Sequence, residues 1–123
     1  MILGLGIDIV EVSRLEKWLS DKKLLERFFC KEEIEYVLSK ENGAALSLAV
    51  RFAAKEAFGK ALGTGLTGIE LKDIAVSNDK AGMPYLKLSG TALEALNKKG
   101  GASCHLSLSH EKTTAAAVVI IEG

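Results

Sequence analysis

A chain of 123 residues, 48% hydrophobic and 26% charged, fits a single domain spanning 1–123 with a core that needs no staples, and excludes a disordered chain. Sixteen basic residues balance sixteen acidic ones, so no bulk field draws the chain to nucleic acid or a membrane surface; a charged partner must be met by a local patch. Cys30 and Cys104 form no CxxC and lack ligand-like histidine spacing, which reads as reduced cytoplasmic thiols rather than a disulfide framework.

In chain order, Ile2 to Val10 is a nearly continuous apolar run that contains Gly4, Gly6 and Asp8. It predicts a buried strand, and it is too short to span a bilayer. Ser13 and Glu16 predict a capping box on a first helix, with Leu15, Trp18 and Leu19 on one face. Leu24, Leu25, Phe28 and Phe29 predict a second helix, and Cys30 to Lys40 a third. The strongest helical pattern covers 44–62. Its Leu48, Phe52, Phe58 and Leu62 are apolar, and Ala49, Ala53, Ala57 and Ala61 form a ridge of small side chains suited to close packing. Gly63 and Gly65 end it. The period then changes: a strand at Ile69–Ser77, a turn at Asn78–Met83, a strand at Pro84–Ser89 and a short helix at Thr91–Asn97. A final hairpin joins Ser103–Ser109 to Thr114–Ile121. The order predicts an α+β fold, an antiparallel-rich sheet packed against a long central helix.

Three features point to chemistry. Asp8 is a carboxylate inside an apolar strand, costly unless it is paired or binds a cation; a helix cap near Ser13 is the alternative. Glu56 and Lys60 have the i,i+4 spacing of a surface ion pair, worth only about 0.3–0.5 kcal/mol. Yet Arg51, Lys55 and Lys60 put three cations near one carboxylate on a helix otherwise dominated by Ala and Phe. That pattern suits an anionic ligand held beside a metal. His110 closes a strand, where a histidine can bind phosphate, carry a proton or lie exposed; His105, at odd separation, faces the other side. Asp8 and Glu56 are a candidate oxygen pair for Mg²⁺, although their spacing does not show that they meet.

Three blocks resemble the holo-acyl-carrier-protein synthase family of phosphopantetheinyl transferases. They are Gly4-Leu5-Gly6-Ile7-Asp8-Ile9-Val10-Glu11 followed by Arg14, the run from Arg51 to Gly65, and His105-Leu106-Ser107-Leu108-Ser109-His110. Gly82-Met83-Pro84 is similar to the family's Gly-x-Pro turn. The resemblance implies transfer of 4′-phosphopantetheine from coenzyme A to a serine of apo-acyl carrier protein, releasing adenosine 3′,5′-bisphosphate, in support of fatty acid biosynthesis. It implies Mg²⁺ held by Asp8 and Glu56, with Lys60 on the pyrophosphate. Coenzyme A would be met by Arg51, Lys55, Lys60, Gly63, Gly65, Pro84, Ser109 and His110. Glu56, Lys60 and Asp8 would carry catalysis; a metal-bound water or Glu56 would take the serine proton. The family is typically a homotrimer with interfacial active sites, His110 coming from the neighbouring subunit.

The acidic carrier fits a local excess of cations. From Arg14 to Lys31 six basic residues face three acidic ones. Arg14, Trp18 and Lys22 are the expected carrier contacts, with Leu25 a further apolar candidate. The sequence departs from the family pattern at Val50, where many members have glycine, and in Gly43–Ala49, which lacks the basic residue relatives often have. Two other readings stand beside the transferase: a coenzyme A- or carrier-binding module without catalysis, and a different Mg²⁺-dependent enzyme acting on a nucleotide diphosphate.

Overall fold

The computed structural model describes residues 1–123. The first strand, β1 (Ile2–Glu11), leads into the short helices α1 (Ser13–Glu16), α2 (Lys22–Phe28) and α3 (Lys31–Leu38). The long helix α4 (Ala44–Leu62) follows, then the hairpin β2 (Ile74–Asn78) and β3 (Pro84–Leu88), helix α5 (Gly90–Lys99) and the hairpin β4 (Ser103–His110) and β5 (Thr114–Glu122). The fold is α+β, and both sheets are antiparallel: one is ordered β1-β5-β4, the other is the pair β2-β3.

Helix α4 is apolar on nearly every side, so it lies in the core rather than on the surface. Its small-residue ridge does what the spacing predicts. A Cβ built on Gly4 would stand 1.9 Å from the Ala61 carbonyl oxygen, and one on Gly6 1.9 Å from that of Ala57. The helix backbone therefore rests directly on β1, and only glycine leaves room for it. Gly63 ends α4 in the left-handed conformation, φ 83°, with its N–H on the Lys60 carbonyl.

The other side of the three-stranded sheet is uncovered. Leu5, Ile7 and Ile9 are 63%, 55% and 65% exposed, and the register sets them beside Ile120, Val118 and Ala116. They form a continuous apolar face within one chain.

Some local expectations fail. Ser13 does not cap its helix: it lies inside α1, Val12 is the N-cap, and no side chain completes the cap. The second helix is capped instead by Asp21, whose carboxylate accepts from Leu24 N–H at 3.2 Å. The strand expected from Ile69 begins only at Ile74, because 66–73 folds into turns and a 3₁₀ segment at Leu71–Asp73. No helix is long and apolar enough to cross a membrane.

Candidate active site

The close seat of α4 on β1 creates one end of the site. Gly4, Gly6 and Asp8 alternate onto the same face of β1, and that face meets the helix. Asp8 is thereby carried to the Lys60 ammonium at 3.1 Å, and Lys60 also donates to the Ile7 carbonyl at 3.0 Å. Lys60 thus pairs across to the strand rather than back along its own helix to Glu56.

Glu56 stands beside them. Partial burial pushes its carboxyl above the ordinary range, the negative charge of Asp8 pushes it further, and Lys60 and Arg14 oppose the shift. Its oxygens make no hydrogen bond within the chain, and of the two carboxylates only Asp8 pairs with the Lys60 ammonium. An excess of hard oxygen donors of this kind fits Mg²⁺, which takes few protein ligands and leaves room for water and phosphate oxygens.

A second group lies elsewhere on α4. Arg51 and Glu56 are five residues apart, about 140° around the helix axis. Arg51 lines a separate cavity of about 350 Å³ with Tyr36, Lys40, Ser47, Pro84 and His110. Its guanidinium is buried, donates to Ser47 Oγ at 2.9 Å, and leaves Nε without a partner. Neither carboxylate and not Lys60 lines this cavity. His110 faces it, whereas Ser109 lies on the opposite, uncovered side of β4, in register with Ala116.

Lys55 requires a correction. Expected on coenzyme A, it is completely buried, and its ammonium donates to Glu33 Oε1, Leu71 O and Ile74 O at 2.5–2.9 Å. Burial depresses its pKa, and Glu33 opposes the shift. A donor molecule cannot reach it. Glu33, which the sequence reading missed, also accepts from Cys30 N–H and Val76 N–H. Its position three residues into a helix opened at Cys30 is the only signal in the sequence, and it points to a cap.

Gly63 and Gly65 both have positive φ, and the Gly65 N–H bonds to the Gly59 carbonyl at 3.0 Å, so turn geometry alone accounts for these glycines. Arg14, Lys17, Lys22, Lys23, Arg27 and Lys31 are all exposed. Trp18 is half-buried against Phe28 and Phe52, with ring centroids at 5.7 and 5.1 Å. Leu25 is buried, so it offers no surface contact. Tyr36 and Lys40, i and i+4 at the end of the third helix, line the basic cavity and were not singled out from sequence. The larger groove of about 690 Å³ between α2 and α3 contains none of the site carboxylates.

Comparison with known proteins places this geometry. Residues 4–119 match the 4′-phosphopantetheinyl transferase superfamily. A holo-[acyl-carrier-protein] synthase of Treponema denticola is 85% identical over 123 residues, covering all of both chains. The crystal structure of the holo-[acyl-carrier-protein] synthase of Neisseria meningitidis superposes with a TM-score of 0.89 at 32% identity, again over the whole of both chains. That of the Bacillus anthracis enzyme, in complex with CoA (3′,5′-ADP), gives a TM-score of 0.82 at 40% identity over 99% of this chain and 97% of the other.

Proposed function

This chain belongs to the 4′-phosphopantetheinyl transferase superfamily, and from that premise we propose that it transfers 4′-phosphopantetheine from coenzyme A to a serine of apo-acyl carrier protein. The observation that carries the reading is the convergence of Asp8, Glu56 and Lys60 where β1 crosses α4. The serine oxygen attacks the phosphorus next to pantetheine, the bond to the second phosphate breaks, and adenosine 3′,5′-bisphosphate leaves. The carboxylates of Asp8 and Glu56 would hold Mg²⁺, which supplies charge neutralisation on the pyrophosphate. Lys60 presents a fixed cation where negative charge develops on the leaving group. Glu56 would accept the serine proton.

Arg51, His110 and Pro84 line a cavity suited to the phosphate-bearing end of coenzyme A. Within one chain that cavity and the carboxylates lie on different sides of α4. This separation supports a homotrimer in which neighbouring subunits complete each site, and the uncovered face of Leu5, Ile7 and Ile9 supports the same assembly. The exposed cations around Arg14 and Lys22, with Trp18 between them, suit the acidic carrier. Residues 1–123 act as one domain around one core, in the cytoplasm and in the service of fatty acid biosynthesis.

Carrier modification under saturating coenzyme A and Mg²⁺ tests the site. Asp8→Ala and Glu56→Ala are expected to lose at least about 100-fold in turnover, the scale of removing one preorganised charge, while retaining the wild-type circular dichroism spectrum. Wild-type turnover in either would remove the metal site. Arg14→Glu is expected to raise the KM for the carrier about tenfold, a charge reversal of roughly 1.4 kcal/mol, and to leave the KM for coenzyme A unchanged. An unaltered carrier KM would retire the patch.

A further inference from the structure

The reacting groups lie on an open surface. None of the main cavities of the chain is lined by Asp8, Glu56 or Lys60. The Lys60 side chain is 55% exposed even while it pairs with Asp8, and Glu56 is half-buried. The loop that follows α4 cannot close over them. It is folded back on the helix, with the Gly65 N–H on the Gly59 carbonyl at 3.0 Å, and a Cβ on Gly59 would stand 2.9 Å from the Gly65 backbone. The approach to Glu56 also stays open in any assembly that transfers to a carrier, because a folded protein must bring its serine hydroxyl there. Its direction is marked: Phe52, one turn before Glu56 on α4, meets Trp18 edge-on at 5.1 Å, and Trp18 is an expected carrier contact.

We infer that the chain has a second activity, slow hydrolysis of the coenzyme A pyrophosphate when no carrier is docked. This rests on coenzyme A being the donor and on Asp8, Glu56 and Lys60 being the reacting centre. Closing lids and deep clefts keep water from reactive groups. This chain has neither at Glu56, so the docked carrier supplies the cover, and until it docks water reaches the place of the serine oxygen. The two hydroxyls are similar nucleophiles; serine gains chiefly from being held in position. The water oxygen attacks the phosphorus next to pantetheine, its proton passes to Glu56, and the bond from that phosphorus to the bridging oxygen breaks. The products are 4′-phosphopantetheine and adenosine 3′,5′-bisphosphate, which keeps the bridging oxygen.

The test incubates wild type with coenzyme A and Mg²⁺, without carrier, in water enriched in heavy oxygen, and follows the products by mass spectrometry. Wild type is expected to release labelled 4′-phosphopantetheine and unlabelled adenosine 3′,5′-bisphosphate. The rate is expected to be about 1,000-fold below transfer to a saturating carrier, the loss of a positioned nucleophile. It should stand at least about 100-fold above that of Glu56→Ala purified in the same way. The position of the label is read on wild type alone, whatever the variant's fold. Where a carrier is modified, its form with alanine in place of the acceptor serine should suppress the hydrolysis, because it covers the site and cannot react. Label in the bisphosphate, hydrolysis at the Glu56→Ala rate, or hydrolysis undiminished by that alanine carrier overturns the proposal. If the carrier is modified and coenzyme A alone stays intact, the proposal falls and the transferase reading stands. If labelled phosphopantetheine forms and no carrier is modified, the proposal stands and the transferase reading falls.

Discussion

Lys55 and Glu33 show how a charge can look like a ligand and act as a tie. The pair is sealed in the core, and each partner also meets backbone: Lys55 the carbonyls of Leu71 and Ile74, Glu33 the N–H groups of Cys30 and Val76. One ion pair thus fastens α3, α4 and the start of β2 together. Removing one partner leaves the other charged, buried and unpaired. Lys55→Met is therefore expected to cost about 3–5 kcal/mol, read as a lower denaturation midpoint in urea at unchanged slope. The double variant Lys55→Met, Glu33→Leu should recover much of that loss. A single variant as stable as wild type would mean the pair contributes nothing. Sequence spacing misled at Lys55 because Arg51 and Lys55 lie on one helical face, and nothing in the spacing shows that β2 and α3 close over the second of them.

At the scale of elements, the governing contact is β1 against α4. Gly4 and Gly6 face Ala61 and Ala57 with no room for a Cβ, and the same strand face then delivers Asp8. Gly6→Ala is expected to cost more than the ~1–3 kcal/mol of ordinary overpacking, because the obstacle is a backbone carbonyl that cannot rotate away. Its residual activity should fall further than its stability, since Asp8 would be lifted from Glu56. Gly43→Ala is the control: its Cβ would meet nothing closer than 3.8 Å, and a change within about 0.5 kcal/mol is expected. Equal stability of the two variants in thermal melts would dismiss the packing argument. Most of this layer was legible beforehand. The apolar spacing over 44–62 predicted α4, Gly63 and Gly65 marked its end, and the final hairpin followed from alternation and a polar turn. The true structure of Ile69–Asp73 and the role of Ser13 were not legible, because a 3₁₀ turn carries no apolar period and a cap depends on backbone angles. The pairing of Lys60 with Asp8 rather than Glu56 was also hidden, since helical spacing counts only neighbours on the same helix.

At the scale of the whole molecule, one chain leaves two things unfinished: an apolar sheet face, and a site divided between two sides of α4. The proposed homotrimer would complete both. Ile7 is the centre of the uncovered face, in register with Val118, and its substitution leaves the core untouched. Sedimentation is expected to show three chains for wild type and one for Ile7→Glu, with transfer lost in the variant although each chain stays folded. An active monomer would separate the site from the assembly. The central claim, that this chain moves phosphopantetheine to a carrier, is tested most directly by intact mass spectrometry of apo-acyl carrier protein incubated with the protein, coenzyme A and Mg²⁺, beside an EDTA control. The carrier is expected to gain one phosphopantetheinyl group, and EDTA to abolish the gain. An unmodified carrier, with coenzyme A still bound by a folded protein, would contradict it and leave a binding module in its place.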